Sequence, residues 1–384
     1  MSDFHLPFGA VRNGIDVLLA DEFRPLRNMR LGLLTNHSGL TLDGRRTIDV
    51  LHADEELVLD VIFTPEHGLT GAAADGEHVA DGADPTTGIP VVSLFGDRDR
   101  PDEEHLEGLD AVLYDVQDVG CRFYTYISTL GYLLEACAEH RVRVFVLDRP
   151  NPIDGNDVEG PSSDASCESR TNYHPMPLRH GLTIGEIARL FNGERSIGAD
   201  LRIATMAGWQ RDLWHDQTGQ QWINPSPNIR DLTAAVLYPG IGLLEGTNLS
   251  VGRGTPAPFH VVGAPWIDGP ALAKRLDGAA LPGMKYEALS FTPNDARHPY
   301  SGQACNGVRV LVEEHADLVP TALGIEVIRA LRTDYAGKWD FKKLGGLLAR
   351  PDLLDAIEDN ADALDDLWQP DPEYFDARAK YLLY

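Results

Sequence analysis

Long apolar runs are missing from this 384-residue chain. None approaches the ~18–20 residues needed to cross a bilayer as a helix. Residues Met1-Ser-Asp-Phe-His-Leu-Pro-Phe8 have neither the charged nor the apolar region of a secretory signal. The chain as written therefore reads as soluble and cytoplasmic, with no membrane insertion; a chain whose leader had been removed would read the same way. Basic residues are scarce, 33 against 59 acidic, for a net charge of −26. That balance argues against a nucleic-acid backbone or an anionic membrane as the main partner, and it is also what adaptation to salt produces. There are only four cysteines (Cys121, Cys137, Cys167, Cys305), without C-x-x-C or metal-ligand spacing. They read as reduced thiols rather than a disulfide framework. No H-E-x-x-H is present, and Glu66-His67 adjacency does not put two ligands on one helix face. Gly240-Ile-Gly-Leu-Leu-Glu-Gly246 imitates a dinucleotide fingerprint, but its spacing is wrong and no helix clearly follows. Neither a cofactor nor a metal is expected.

What is present is an ordinary globular composition, 43% hydrophobic and 24% charged, long enough for two or three domains. A lead-in helix is expected at Gly14–Ala20. Apolar, β-branched runs then alternate with amphipathic ones. Strands are expected at 30–35, 57–63, 90–95, 109–115, 142–148 and 201–206, and helices at 45–52, 126–140 and 184–192. Such alternation predicts an α/β fold with a mostly parallel sheet and helices on both faces. An apolar helix is expected at 232–238; from about 260, strands at 285–291 and 307–312 and helices at 270–276 and 321–331 suggest a smaller α+β C-terminal domain. The expected division is 1–245 and 246–384, with the loops 222–228 and 244–255 lying across the cleft.

Polar residues gather after successive strands, where open α/β sheets build their sites. Asn36-His37-Ser38 follows the first, Glu66-His67-Gly68 the second, Asp115-Val-Gln117-Asp118 the fourth and Asp148-Arg149-Pro-Asn151 the fifth. Glu66 on a proline–glycine turn has no folding reason to be there and is the leading acid/base candidate; the bland reading is a solvated loop carboxylate. His67 reads equally as a hydrogen-bonded structural histidine. Asp115, Gln117 and Asp118 suit sugar hydroxyls, a metal or a reacting water, or else cap the next helix. Tyr124 and Tyr126 suit sugar faces, while Phe123 suits a core. Arg149 and Asn151, and Arg179 with His180, sit on proline-fixed approaches. Thr183 and Glu186 form a capping box, so Glu186 is set aside.

In order along the chain, Thr64-Pro-Glu-His-Gly68, Asp115-Val-Gln-Asp-Val-Gly120, Asp148-Arg-Pro-Asn-Pro152, Pro225-Ser-Pro-Asn228 and Glu245-Gly-Thr-Asn-Leu-Ser250 resemble the NamZ-type exo-β-N-acetylmuramidase family. The resemblance runs from about residue 12 to the C-terminus. It implies a glycoside hydrolase that removes N-acetylmuramic acid from the non-reducing end of peptidoglycan fragments. It also implies a site between a Rossmann-like and a smaller domain, with Glu66 as leading catalytic residue. Family members often carry export signals, which this chain lacks as written. Glycoside hydrolysis generally asks for two carboxyl groups; Glu66 is the expected acid, and Asp115, Asp118 or the substrate's own acetamido oxygen the second group. Arg122, Arg149, Arg179 and Arg253 are candidates to pair with the lactyl carboxylate of muramic acid. Asn228, Glu245 and Asn248 complete the expected binding set. The competing readings are a non-catalytic muropeptide- or sugar-binding protein and a metal-assisted hydrolase using His37, Glu66, His67 and Asp115.

Overall fold

The computed structural model describes residues 9–314, 317–359 and 364–384. The N-terminal octapeptide read above for a leader, and a short stretch of the acidic C-terminal segment, lie outside the described residues. Among those described, no helix is long and apolar enough to cross a membrane.

Seven strands form the large sheet: β1 (Arg30–Thr35), β2 (Val58–Thr64), β3 (Gly82–Ala83), β4 (Pro90–Ser93), β5 (Ala111–Asp115), β6 (Arg143–Leu147) and β7 (Leu201–Ala204). Their order is β3-β4-β2-β1-β5-β6-β7. All pair in parallel except the two-residue edge strand β3, antiparallel to β4 and absent from the expectations. The alternation of the strands explains the two-faced burial. Leu34, Val112, Tyr114, Val144 and Val146 enter one apolar core, while Leu31, Leu33, Ala111, Leu113, Phe145 and Leu147 enter a second on the opposite face. Helices α1 (Gly14–Ala20) and α2 (Thr47–His52) cover the second core. After the one-turn α3 (Glu103–Leu106), α4 (Thr125–His140) and α5 (Ile184–Glu194) cover the first. The capping box that starts α5 is formed as expected: the Glu186 amide donates to Thr183 Oγ1 at 3.3 Å, and the Thr183 amide to Glu186 Oε2 at 3.0 Å.

The smaller domain has a three-stranded antiparallel sheet, β8 (Val261–Ala264), β9 (Met284–Phe291) and β10 (Cys305–Val312), ordered β8-β10-β9. β8 was not anticipated. α6 (Leu232–Ile241) precedes this domain and packs against it, and around the sheet lie α7 (Gly269–Gly278), α8 (Pro320–Asp334) and four-to-nine-residue helices α9 (Leu344–Leu348), α10 (Pro351–Asp359), α11 (Leu364–Leu367) and α12 (Pro372–Ala379). Residues 234–241 of α6 are all buried, as a helix apolar on every side must be. The glycines of the false dinucleotide motif serve this packing. A Cβ on Gly240 would lie 2.0 Å from the Pro320 carbonyl, and α6 meets α8 there at Gly324. The first core continues from α4 through α6 into α8, α9 and α10 without a break.

Candidate active site

The chain leaves β1 in one direction toward β2 and later fills the other side with β5, so the carboxyl ends of β1 and β5 form the switch point of the sheet. Thr35 pairs with Asp115 there, its hydroxyl donating to the Asp115 carbonyl at 2.8 Å. The loop after β2 begins one strand away. His67 (φ +72°) and Gly68 (φ +68°) are both left-handed, so the chain turns back on itself immediately after Glu66. Only glycine adopts this region freely; the strain held at His67 is of order 1–3 kcal/mol.

This turn points Glu66 into a cleft lined also by His67, Asp75, Tyr124, Thr125, Ser226, Tyr238, Glu245, Arg253 and Phe259. Glu66 is half-buried. Its Oε1 accepts the Gly76 amide at 2.9 Å and its Oε2 the Thr125 hydroxyl at 2.7 Å. His67 is buried, with Nδ1 2.8 Å from the Ala73 carbonyl and its ring edge-on to Tyr126. Tyr126 stands behind the wall and donates to the Pro225 carbonyl at 2.9 Å, fixing the loop that carries Ser226. From the smaller domain, Arg253 grips Glu245 through Nε and Nη2 and reaches across to Asp75 through Nη1. Asn228 and His298 approach the same Asp75 oxygen at 3.4 and 3.8 Å. Burial raises the Asp75 carboxyl, but Arg253, then His67 and His298, outweigh it and hold it below the usual carboxylate range. The Arg253 cation is matched the same way: burial lowers the guanidinium, and Glu245 and Asp75 more than restore it.

Of the residues expected at the site, Glu66, His67, Tyr124, Glu245 and Arg253 line this cleft, and Tyr126 and Asn228 brace it. The others are placed differently. Asp115 is wholly buried and both its oxygens are taken, by Arg149 Nε at 2.6 Å and by the Thr47 hydroxyl at 2.5 Å. It is a structural ion pair, and the four ligands of the metal reading are not brought together. Arg149 also donates to the Leu40 carbonyl. With Gln117 it borders a separate pocket of about 90 Å³ lined also by Trp222 and Ile223. Asp118 accepts the Gly120 amide at 2.8 Å and lies 3.3 Å from Nε2 of the buried His180, too poorly aligned for a hydrogen bond. Asn36 holds Ser38, and Asn151 bridges the Leu182 carbonyl and the Ile153 amide. Arg179 is enclosed by Asp154, Asp157 and Glu159. Arg122, fully buried with its guanidinium drawn down to about 10 by desolvation, donates to Asn172 and to the carbonyls of Leu347 and Leu348. Asn248 ties loops within the smaller domain through Lys338 and Asp340. None of these lines this cleft, and each makes its hydrogen bonds or ion pairs with protein groups, as buried polar side chains generally do.

Asp75, Thr125, Ser226 and His298 were not anticipated at the cleft. Thr125 lies between the two tyrosines already singled out and Ser226 inside the Pro-Ser-Pro-Asn motif, so both were marked by their neighbours. Asp75, in Ala72-Ala-Ala-Asp-Gly76, carries no sequence signal beyond that of a turn.

Comparison with known proteins agrees over nearly the whole chain. The family described as exo-beta-N-acetylmuramidase NamZ matches in both of its parts, the N-terminal one over residues 31–233 and the C-terminal one over residues 236–384. The peptidoglycan beta-N-acetylmuramidase NamZ of Bacillus subtilis (strain 168) is 41% identical over 335 residues, 87% of this chain and 80% of that protein. A crystal structure of a DUF1343 family protein from Bacteroides fragilis superposes with a TM-score of 0.90 at 31% identity, covering 98% of this chain and all (100%) of that one. A second from the same organism gives 0.76 at 28% identity, covering 97% and 99%. By the match of both domains and the identity to the Bacillus protein, the chain belongs to the NamZ exo-β-N-acetylmuramidase family.

Proposed function

We propose that this protein is an exo-acting β-N-acetylmuramidase, hydrolysing the terminal non-reducing N-acetylmuramic acid of peptidoglycan fragments with Glu66 as general acid. The observation that carries the reading is Glu66 itself: a carboxyl group aimed into an aromatic-walled cleft and oriented by two donors. Thr125 and Gly76 fix the side chain, and a hydroxyl accepts as readily as it donates, so Thr125 stays a partner whether Glu66 holds a proton or has delivered it. Delivery to the glycosidic oxygen relieves the charge that develops as the bond breaks, an effect commonly of 10²–10⁴-fold. Tyr124, Tyr238 and Phe259 give the cleft an apolar, aromatic lining that suits the apolar side of a sugar. Arg253 is the one of the four candidate arginines that borders this cleft, and it supports a site for the lactyl carboxylate, in competition with Asp75 and Glu245. Residues 246–384 act as the smaller domain that closes over residues 1–245.

The test is release of reducing sugar from a muramic acid–N-acetylglucosamine disaccharide, or of the chromophore from a chromogenic muramide, by wild type and Glu66→Gln with EDTA present. Turnover by wild type that survives the chelator and falls at least ~10²-fold in the variant is expected. Loss to EDTA would favour the metal-assisted reading, and sugar binding without turnover a binding protein.

A further inference from the structure

We infer that Asp75, with His67, holds and deprotonates the water that attacks the anomeric carbon. This rests on the glycosidase reading above and supplies the second carboxyl group that the reaction needs.

Three observations carry it. First, the loop after β2 folds back so that the residue following Asp75 donates its amide to Glu66 Oε1 at 2.9 Å, and both carboxylates face one cleft. Second, the two oxygens of Asp75 are unequal. Oδ2 is held by Arg253 and Asn228, whereas Oδ1 accepts no hydrogen bond among the described residues and faces His67 Nε2 at 3.8 Å. Third, the tautomer of His67 is set by its surroundings. A carbonyl only accepts, so Nδ1, 2.8 Å from the Ala73 oxygen, carries the hydrogen and leaves a lone pair on Nε2 of the neutral ring. Tyr126 at its edge keeps the buried ring in place. Two acceptors thus face each other, too far apart for direct contact and with no proton between them. One water donating to both satisfies that pair. Burial alone would raise the Asp75 carboxyl, but the Arg253 guanidinium on Oδ2 keeps it ionised and able to take a proton.

The step balances. The water oxygen forms a bond to the anomeric carbon and gives one proton to Asp75 Oδ1. The glycosidic carbon–oxygen bond breaks with its electron pair going to oxygen, which takes the proton of Glu66. Asp75 ends protonated and Glu66 ionised, and solvent reverses both after release. A single displacement of this kind inverts the centre, so a β-linked muramic acid leaves first as the α-anomer.

The experiment follows the disaccharide by proton NMR and a chromogenic muramide by absorbance, with wild type and Asp75→Asn, each with and without sodium azide. Expected are α-anomer first from wild type and a loss on the order of 10³-fold in kcat for Asp75→Asn with little change in KM. Azide should restore turnover of the variant and yield an α-glycosyl azide, a rescue that a merely structural role for Asp75 would not show. First release of the β-anomer, a variant kcat within about tenfold of wild type, or a loss that azide leaves unmoved would each overturn the assignment. A wild type that releases no sugar would overturn the glycosidase reading itself, and this inference with it.

Discussion

Arg253→Met tests the electrostatic frame of the cleft apart from its chemistry. The substitution keeps an unbranched apolar stem against the Phe259 ring, over which the guanidinium lies at 5.2 Å, and removes the charge shared by Glu245 and Asp75. Removing one partner from a buried ion pair costs about 3–5 kcal/mol, because the other is left unpaired. Here the side chains of Arg253, Asp75 and Glu245 are 11%, 30% and 23% exposed, so the low end, about 3 kcal/mol at neutral pH, is expected. The sign of the pH dependence comes from Asp75. Its carboxyl is held below the usual value in the folded protein. It therefore contributes stability that is present above the unfolded value, near 4, and lost as pH falls through the folded one. Without Arg253 that contribution disappears. The gap between wild type and variant should be widest near pH 7 and narrow as pH falls through about 4. Urea unfolding followed by tryptophan fluorescence, in steps from pH 7.5 downward, measures it. An equal loss at every pH, or none at pH 7, would refute the argument.

Burial leads to two further outcomes. Native protein should show one rapidly alkylated thiol, Cys167, since Cys121, Cys137 and Cys305 are buried and burial pushes their thiols up, that of Cys305 to about 11. Denaturant should release all four, and a second fast thiol in the native state would contradict the packing. Gly240→Ala should cost about 2–3 kcal/mol, read as a lowered urea midpoint, because its Cβ has no room beside the Pro320 carbonyl and α6 must move off α8; an unchanged midpoint would refute the close approach.

The large sheet was legible because its physics is local. A strand buried on both faces is apolar along most of its length, and 111–114 and 144–147 can be little else. The capping box at Thr183 needed only four consecutive residues. The edge strand β3 was not legible, since two exposed residues carry no pattern, and β8, Val261-Val-Gly-Ala264, is too short for one. At the site, the turn holding Glu66 stood out because a strand end, a proline and a glycine are all written in sequence. Asp75 did not, because its surroundings are supplied from elsewhere: Arg253 and His298 from the smaller domain, and His67 eight residues back.

The expected site residues that do not line this cleft share one physical setting. The carboxyl edge of a parallel sheet is where strands end inside the protein, so loops there carry polar groups whether or not a substrate meets them. Asp115 with Arg149, Arg179 with Asp154 and Glu159, and Arg122 with two main-chain carbonyls all solve that problem internally. Residue type and position are the same for a substrate-binding arginine and for one that satisfies buried oxygens; only pairing distinguishes them, and pairing is a property of the fold. Arg122 nonetheless bears on function. Its carbonyl partners Leu347 and Leu348 belong to the smaller domain, and Leu347, like Glu66, lines the cleft. Arg122 thus ties the segment leading into α4 to residues 347–348, so its loss should be felt in the cleft although its own side chain does not line it.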